Sequence, residues 1–252
     1  VTVFHLAANS LLGPSAYDPL SYFKNNTAKT IELLDFLPEN TKLVFASTAA
    51  VYEEAASIKT EDSKLSPPNN YGLSKLWCEQ AIDACYKIKK IKATSFRFFN
   101  VIGANNDTGQ LKGTPHIVNK LCEAAATEQS FKIYGDDWNT RDGTCVRDYL
   151  HVIDVCRALI HAAQFMDKID RPIHSKYNLG TQTGTTVLEI VNAFNKVAKP
   201  VTTEVVERRK GDPAHLVADP RKFVDETGFG YWYDYKDLET MISSAWLYYN
   251  NN

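Results

Sequence analysis

The fold class of this chain is indicated first by a short apolar run, Leu43-Val44-Phe45-Ala46-Ser47, that ends at Thr48. A run of this length and composition is typical of a strand. Similar runs recur along the chain and alternate with patterns of helical period, which is the arrangement of a parallel sheet with crossover helices. The sequence therefore predicts an α/β protein with a doubly wound parallel sheet.

The predicted elements cover most of the chain. The strands are Val1–Ala8, Leu43–Ser47, Ala93–Phe99, Phe131–Tyr134 and Lys176–Leu179, and the helices are Pro19–Leu37, Tyr71–Lys89, Pro115–Thr127, Val152–Gln164, Val187–Val197 and Tyr235–Tyr249. From Ala104 the composition changes, because residues 104–147 are rich in Gly, Asn, Asp and Thr. We expect residues 1–103 and about 148–180 to form the sheet domain, and residues 104–147 and about 181–252 to form a smaller domain over it.

Composition argues against several classes of protein. The chain has 252 residues, of which 44% are hydrophobic and 23% are charged, so an ordinary globular chain is expected. Its net charge of −2 gives no basic surface for a nucleic acid, which makes a small-molecule partner the better expectation. No apolar stretch approaches the ~18–20 residues of a membrane span. The five cysteines are scattered without a Cys-x-x-Cys pair, which indicates reduced thiols and a cytoplasmic location.

Thr48, Tyr71 and Lys75 form the candidate catalytic group. Tyr71 and Lys75 are four residues apart on a predicted helix, so their side chains share one face. A tyrosine with a pKa of ~10 acts as a base near pH 7 only if its anion is favoured, and the Lys75 ammonium is suited to that. Thr48, at the carboxyl end of a strand, would hydrogen-bond the reacting hydroxyl, because ligands of doubly wound sheets gather at that edge. The alternative is a Thr in a turn, a buried Tyr and a Lys whose stem lies along the surface.

A second Tyr-x-x-x-Lys pair, Tyr86 and Lys90, shows that the spacing alone is not specific. Tyr71 follows Pro67-Pro68-Asn69-Asn70, which signals the start of a helix. Tyr86 falls deep inside the same predicted helix, beside the basic run Lys87–Lys90. We therefore predict that Tyr71 is catalytic and that Tyr86 is a solvated surface residue.

These motifs and several others resemble the extended short-chain dehydrogenase/reductase family, from Val3 nearly to the C terminus. The residues that carry the resemblance are Val3–Ala8, Phe45–Tyr52, Tyr71–Lys75, Arg97–Ala104, Tyr134-Gly135, Thr140–Val152, Tyr177–Gly180 and Arg208–Pro213. Two stretches are highly specific, Asp-Gly-Thr-Cys-Val-Arg-Asp-Tyr at 142–149 and Arg-Arg-x-Gly-Asp-Pro at 208–213. Within the family, the chain is similar to the enzymes that epimerise UDP-glucose and UDP-galactose. The resemblance implies a Rossmann-type NAD-binding sheet with a smaller C-terminal substrate domain.

The resemblance also implies a mechanism. Tyr71 would take the proton of the sugar 4-hydroxyl while C4 gives hydride to NAD, and the hydride would return to the opposite face of the 4-keto sugar. Lys75 would hold the nicotinamide ribose, and Thr48 would steady the substrate oxygen. The residues implied to line the cofactor are Leu6, Ala7, Ala8, Ser10, Asn25, Tyr71, Lys75 and Phe98, and those implied to bind the UDP-sugar are Thr48, Asn100, Tyr134, Arg147, Arg209, Asp212 and Leu216.

The UDP group has its own implied set of residues. Arg147 and Arg209 would bind the two phosphates, which need cations. Asn100 would bind a phosphate or sugar oxygen, Tyr134 would flank the uracil, and Asp212 would accept ribose hydroxyls.

Two plainer interpretations accompany these roles. Arg147 could instead form a salt bridge with Asp148 or Asp142. His116 and His151 are interpreted as satisfied polar residues, because no second His or Cys offers metal-ligand spacing. No metal site is predicted.

The start of the chain leads to a separate expectation. The sequence opens on Val1, directly inside a predicted strand, and none of its 12 glycines forms the Gly-x-Gly-x-x-Gly loop that binds a pyrophosphate. The resemblance implies two βαβ units ahead of Val1, so we expect an N-terminally truncated chain. Without those units the first strand would be an unpaired edge. We therefore expect the chain alone to fold poorly and to lack turnover.

Other functions remain open at this point. Sugar-nucleotide 4,6-dehydratases place Asp-Glu directly after the Thr, whereas Ala49-Ala50 stand there in this chain, which favours epimerisation. Leu216 lies where the sugar pocket of the family is gated, and an aliphatic residue there could leave room for an N-acetyl group. A non-catalytic remnant that binds UDP-sugars is a further alternative. The resemblance implies a homodimer packed through the helices Pro19–Leu37 and Tyr71–Lys89.

Overall fold

The computed structural model describes residues 1–55, 57–105, 107–209, 212–230, 235 and 237–252. The strands are β1 Thr2–His5, β2 Lys42–Thr48, β3 Ser57–Lys59, β4 Lys92–Phe98, β5 Asn100–Ile102, β6 Phe131–Tyr134, β7 Val146–Arg147, β8 Tyr149–His151, β9 Ile173–Leu179, β10 Thr185–Thr186, β11 Thr203–Val206 and β12 His215–Ala218. The helices are α1 Leu12–Tyr17, α2 Pro19–Tyr22, α3 Lys29–Phe36, α4 Asn70–Cys85, α5 Ile117–Thr127, α6 Val152–Phe165, α7 Val187–Val197, α8 Arg221–Thr227 and α9 Leu238–Asn251. Among the helices of the described residues, none is long and apolar enough to cross a membrane.

A parallel sheet organises the first part of the molecule. Its strands lie in the order β1-β2-β4-β9, and each neighbouring pair is parallel. The register pairs Thr48 with Phe98 and Phe98 with Leu179, so the last residues of three strands form a row. The carboxyl ends of all four strands therefore lie at one edge, where ligands of doubly wound sheets bind. The predicted α/β class is confirmed.

Apolar side chains cover both faces of this sheet. Val44 and Phe96 pack in one core with residues of α6. Leu43 and Phe45 pack in another core with residues of α3 and α4. Successive residues of β2 thus point to opposite faces, and both faces are buried. This double burial explains why β2 reads as a continuous apolar run instead of an alternating one.

A further apolar core joins α5, α7 and α9. Its buried residues include Leu121, Phe194 and Ile242. Beside it, β6 pairs with β11, while β7 pairs with β10 and β12. Strand β12 also pairs with β3, which connects this region to the segment after β2. Phe223 and Phe229 pack in the core of the parallel sheet, although the sequence assigns residues 181–252 to the smaller domain.

The sequence predicted most of these elements, with differences at their ends. Strand β6 and helix α7 are confirmed at both ends. The predicted helix Pro19–Leu37 contains a π-helical turn at Phe23–Ala28. The predicted helix Tyr71–Lys89 ends early, at Cys85. The prediction missed α1, α8 and the shortest strands, because a few residues carry too little periodicity to be recognised.

Helix α4 begins where the chain passes close to the end of β2. The Asn69 side chain caps this helix by accepting a hydrogen bond from the backbone N of Gly72 at 2.8 Å, which confirms the predicted helix start. Gly72 lies against Ala50, since a Cβ built on it would be 2.1 Å from the Ala50 carbonyl oxygen. The missing side chain therefore allows the first turn of α4, with Tyr71, to approach the segment that follows Thr48.

This close approach predicts the effect of a single methyl group. We expect Gly72→Ala to lower the free energy of unfolding by about 1–3 kcal/mol, because the added Cβ forces a backbone carbonyl to move. Denaturant titration measures the change. Gly13→Ala is the matched control: Gly13 is also helical and its added Cβ meets nothing within 4 Å, so stability should hold or rise. An unchanged stability of Gly72→Ala would contradict the packing described here.

Candidate active site

Thr48, Tyr71 and Lys75 meet at the carboxyl edge of the parallel sheet. Thr48 ends β2 and is buried, Tyr71 lies in the first turn of α4, and Lys75 lies one turn further on. The Thr48 side chain lies close enough to the Tyr71 phenol to act on its pKa. The Lys75 side chain is buried, and its Nζ lies 4.3 Å from the centroid of the Phe45 ring. Three residues that are distant in the sequence thus share one site.

Burial controls the protonation of both titratable groups. It raises the pKa of the Tyr71 phenol, and the neighbouring Thr48 side chain opposes that rise. It lowers the pKa of Lys75 to about 8, while the charges of Cys78 and Glu79 act in the opposite direction. We expected Lys75 to bring the pKa of Tyr71 below its usual value. With only the groups of this chain present, that expectation is wrong, because desolvation has the largest effect on Tyr71 and raises its pKa. The phenol is the resting form of Tyr71 near neutral pH.

The second Tyr-x-x-x-Lys pair has a different structure. Since α4 ends at Cys85, Tyr86 lies at the end of the helix and not deep inside it. Tyr86 is half-buried and packs with the apolar core beside α3, so the prediction of a solvated surface residue is wrong. Lys90 lies beyond the helix, in a left-handed conformation with a φ of 52°, and forms an ion pair of 3.1 Å with Glu39. These two residues do not share a helix face.

The residues predicted to line the cofactor lie along the same edge of the sheet or beside it. Four of them, Leu6, Ala7, Ala8 and Ser10, directly follow β1. Ala8 is half-buried, and the other three are exposed. Phe98 ends β4, is half-buried and pairs in register with Thr48. Asn25 is exposed in the π-helical turn, and its Nδ2 donates to Oδ1 of Asn26 at 3.1 Å.

These surroundings fit the nicotinamide half of a dinucleotide. Among the described residues, Nζ of Lys75 has an aromatic ring as its neighbour and no hydrogen-bond acceptor, so its N–H groups are free for ligand hydroxyls. The phenol of Tyr71 and the ring of Phe98 lie at the same edge of the sheet. The glycine loop that would bind a pyrophosphate is not in this sequence.

Residues predicted to bind the UDP group form two connected pairs. Nη2 of Arg147 lies 3.6 Å from the carboxylate of Asp212, and Nη1 of Arg147 donates to two backbone carbonyls at 2.8 and 2.9 Å. The guanidinium carbon of Arg209 lies 3.8 Å from the centroid of the Tyr134 ring. The backbone N of Asp212 donates to the carbonyl of Arg209 at 3.3 Å, which joins the two pairs. The structure thus brings four predicted residues together.

The alternative salt-bridge partners of Arg147, which were Asp148 and Asp142, are wrong. Asp148 is fully buried and accepts hydrogen bonds of 2.6–3.1 Å from the loop after β9 and from β12. Asp142 accepts hydrogen bonds from the backbone N and the hydroxyl of Thr144 at 2.9 and 2.8 Å. Both carboxylates therefore hold local structure, and Arg147 is left to pair with the carboxylate of another loop.

Leu216 connects the two groups of residues. It pairs with Arg147 where β12 runs beside β7. Its side chain packs against an apolar cluster that includes the residues directly after Thr48 and Lys75. Asn100 lies two residues after the end of β4. Its backbone N and its Nδ2 donate to the carbonyl of Asp148, the residue after Arg147, at 3.0 and 3.2 Å.

Sequence reasoning missed the polar groups beneath the site. Arg97 and Glu79 are each 1% exposed, and Nη2 and Nε of Arg97 donate to the Glu79 carboxylate at 2.7 and 3.1 Å. The hydroxyl of Ser47 donates to the same carboxylate at 2.5 Å. A signal was present: a charged Arg97 inside an otherwise buried strand demands a buried partner, and Glu79 lies one helical turn after Lys75.

His151 has the satisfied environment that was expected. Its Nε2 is hydrogen-bonded to the Ser244 hydroxyl at 3.0 Å, its Nδ1 accepts from the backbone N of Ile153 at 3.2 Å, and its ring stacks on Tyr235 at 3.7 Å. Across the part of the chain that the structure describes, no group of three or more His, Cys, Asp or Glu side chains could hold a metal ion.

Comparison with known proteins identifies the class to which this site belongs. Residues 1–180 match the model of the NAD dependent epimerase/dehydratase family, and the chain belongs to that family. The predicted resemblance, the NAD-binding Rossmann-type fold and the NAD dependence are confirmed.

Individual proteins that are similar to this chain have more specific names than the family. A UDP-glucose 4-epimerase from Corynebacterium glutamicum is 36% identical over 253 residues, which are 98% of this chain and 75% of the relative. A crystal structure of UDP-glucose-4-epimerase from Stenotrophomonas maltophila with bound NAD and formylated UDP-arabinopyranose is 33% identical and matches with a TM-score of 0.91, over 99% of this chain and 76% of that one. A UDP-Glc/GlcNAc 4-epimerase from Campylobacter jejuni is 33% identical, with a TM-score of 0.82 over 100% and 78% of the two chains.

The buried ammonium predicts a pH dependence of stability. Because the pKa of Lys75 falls from 10.5 to about 8 on folding, the unfolded chain binds the extra proton between these pH values, and the free energy of unfolding rises with pH. We expect the stability of the unmutated protein minus that of Lys75→Met to increase by up to ~3 kcal/mol from pH 8 to pH 10.5. Urea denaturation measures it, with the exposed Lys24→Met as control. A flat difference would contradict the desolvation of Lys75.

Proposed function

We propose that the protein that carries this chain interconverts UDP-glucose and UDP-galactose by oxidation and re-reduction of the sugar at C4. The observation that carries the proposal is the position of Thr48 and Tyr71 together at the ligand-binding edge of the sheet, with the free donors of Lys75 one helical turn away. The similarity to UDP-glucose 4-epimerases over nearly the whole chain supports the choice of reaction and substrate.

In this proposal each residue of the site has one task. Tyr71 as its anion takes the proton of the 4-hydroxyl, and it later returns that proton to the oxygen on the other face of the ring. Thr48 donates a hydrogen bond that steadies the sugar oxygen, and Lys75 binds ribose hydroxyls. Phe98 would lie beside NAD, which would supply a hydride acceptor and donor for C4 and the positive charge of its nicotinamide ring. The sugar gains and loses the same atoms, so no net oxidation occurs.

Dehydration is less well supported than epimerisation. Ala49 and Ala50 directly follow Thr48, and neither can exchange a proton with the neighbouring carbon. Ala49 is buried in the apolar cluster that also contacts Leu216, and Ala50 packs against Gly72. A carboxylate at either position would meet apolar surface or backbone.

The UDP group is held, in this proposal, by Arg147, Arg209, Tyr134, Asp212 and Asn100. The ion pair of Arg147, in β7, and the stacking of Arg209, after β11, on Tyr134 preorganise two guanidinium groups. Two phosphates require such cations, and an aromatic ring suits the face of a uracil. We also propose that residues 104–147 and about 181–252 are the UDP-sugar domain, and that residues 1–103 and about 148–180 are the NAD domain. The apolar core of α5, α7 and α9 supports this division, whereas Phe223 and Phe229 pack in the core of the parallel sheet.

We propose that the protein is a homodimer that works in the cytoplasm. Exposed apolar side chains lie on adjacent helices: Leu20 of α2 is 63% exposed, and Trp77 of α4 is 39% exposed with its ring 4.7 Å from that of Phe23. Such a patch suits a subunit interface. All five cysteines are free thiols, as a reducing compartment requires. A monomer in analytical ultracentrifugation would refute the dimer.

The base is tested by removing one hydroxyl. We expect Tyr71→Phe to lower the kcat for UDP-galactose formation by about 100- to 10,000-fold, because the phenolate is the proton acceptor. Its affinity for UDP should be unchanged in calorimetry, since Tyr71 lies outside the proposed UDP residues. Tyr86→Phe is the matched control from the second Tyr-x-x-x-Lys pair and should keep full activity. Turnover by Tyr71→Phe within about tenfold of the unmutated protein would overturn the assignment.

The phosphate contact is tested at two neighbouring arginines. We expect Arg209→Met to raise the Kd for UDP by about 10- to 100-fold, through the loss of a charge-assisted hydrogen bond. Arg208→Met is the control, because Arg208 stacks on Trp138 and pairs with Asp137. Calorimetric titration with UDP measures both. Equal affinities of the two variants would refute the role of Arg209.

The gate is tested by size at Leu216. The side chain is half-buried between Arg147 and the cluster beside Thr48, so a larger residue should narrow the sugar pocket. We expect Leu216→Tyr to lower kcat/KM for UDP-N-acetylglucosamine about tenfold or more relative to UDP-glucose. Leu216→Met, which conserves volume, should keep the ratio. Equal losses on both sugars would contradict the gate.

A further inference from the structure

A buried ion pair lies directly beneath the candidate site. Arg97 of β4 and Glu79 of α4 bind each other through two hydrogen bonds of 2.7 and 3.1 Å. Ser47, which immediately precedes Thr48 in β2, donates to the same carboxylate at 2.5 Å. Glu79 thus joins the helix that carries Lys75 to two strands of the parallel sheet.

The remaining donors of Arg97 extend this network. Its Nη1 donates to Oη of Tyr52 at 3.0 Å and to the carbonyl of Glu61 at 3.1 Å. Tyr52 in turn donates to Oδ1 of Asn178 in β9 at 2.6 Å. Arg97, Tyr52 and Asn178 are all buried. One guanidinium therefore connects three neighbouring strands with the loop that follows β2.

The network residues Ser47, Arg97 and Glu79 each lie close in sequence to a residue of the site. Ser47 stands one residue before Thr48, and Arg97 stands one residue before Phe98. Glu79 stands four residues after Lys75 on the same helix face. A shift of any of these anchors therefore moves a site residue by nearly the same distance.

We propose that Glu79 and Arg97 are positioning residues for the reaction: their buried ion pair fixes helix α4 in register with the ends of β2 and β4, and thereby holds Tyr71 and Lys75 against Thr48. The consequence for turnover rests on the proposed function, whereas the consequence for geometry does not.

Stability alone does not explain this pair. Two buried charges lose their hydration, and replacing such a pair with apolar side chains of similar volume often leaves stability unchanged or improves it. Directional hydrogen bonds, however, specify one register, because their geometry tolerates only a few tenths of an ångström. Apolar contacts alone would allow α4 to shift along the sheet with little loss of burial.

The test replaces the pair as a unit, as Glu79→Leu with Arg97→Met. We expect the double variant to fold cooperatively and to bind UDP with an affinity within about twofold of the unmutated protein. Its kcat should fall about tenfold or more, which corresponds to about 1.4 kcal/mol, while KM changes less than about twofold. Its crystal structure should show a longer distance between the hydroxyls of Tyr71 and Thr48 than in the unmutated protein.

The matched control lies one turn further along α4. Asp83 pairs with Lys176 of β9 at 2.6 Å, so Asp83→Asn with Lys176→Met removes an ion pair between the same helix and sheet, away from the site. This control should keep kcat within about twofold. A folded Glu79→Leu/Arg97→Met variant with unchanged kcat and an unchanged distance between the hydroxyls of Thr48 and Tyr71 would overturn the proposal, as would an equal loss of kcat in the control.

A milder variant covers the case in which the double variant does not fold. Ser47→Ala removes one donor to Glu79 and keeps the ion pair, and we expect it to lower kcat about threefold or more at constant KM. An unchanged kcat would overturn the proposal. If the unmutated protein does not interconvert the two UDP-sugars, the proposed function fails, and the distance between Thr48 and Tyr71 in the variant structures still decides the positioning role.

Discussion

The ion pair between Arg97 and Glu79 is the constraint on which the arrangement of the site depends. Helices usually pack on a parallel sheet through apolar side chains alone, and this packing gives burial without a strict register. Helix α4 instead carries two acidic residues, Glu79 and Asp83, on the face that meets the sheet. Together with the glycine contact at the start of the helix, the bonds of Glu79 leave α4 one position on the sheet. Tyr71 and Lys75 inherit that position, because they lie in the first turns of the same helix.

Helix α4 also contributes to a second polar group, which has catalytic geometry but is closed to substrates. His174 is hydrogen-bonded to Asp83 at 2.8 Å through Nδ1 and to Ser95 at 2.8 Å through Nε2, an arrangement that resembles a hydrolytic triad. Ser95 is nevertheless fully buried inside β4, where no substrate can reach its hydroxyl. These bonds therefore stabilise the contact between helix and sheet. The group formed by Thr48, Tyr71 and Lys75 differs, because it lies at the edge where the strands end.

The sequence predicted the parts of the molecule that depend on local pattern. Strand β2 and the start of α4 follow from an apolar run and from a capping Asn69, so the meeting of Thr48 with Tyr71 could be expected. The early end of α4 could not, because no glycine or proline follows Cys85 within residues 86–90 to mark it. The partner of Arg147 could not be predicted either. Proximity in sequence favoured Asp148, but the carboxylate of Asp148 accepts hydrogen bonds from β12 and from the loop after β9. Long-range partners are decided by which groups the fold satisfies first.

The electrostatics of the site point to a base that is inactive until a ligand is present. Burial raises the pKa of Tyr71 and lowers that of Lys75, so each shift disfavours the charged form of its group. In these low-dielectric surroundings, a Tyr71 phenolate and a Lys75 ammonium would each be far more stable beside the other than alone. The Lys75 ammonium also keeps N–H donors free, and a ligand that accepts them would favour its charged form. In the proposed reaction, proton transfer at Tyr71 is thereby coupled to binding, because a bound ligand stabilises the Lys75 ammonium, which in turn favours the phenolate.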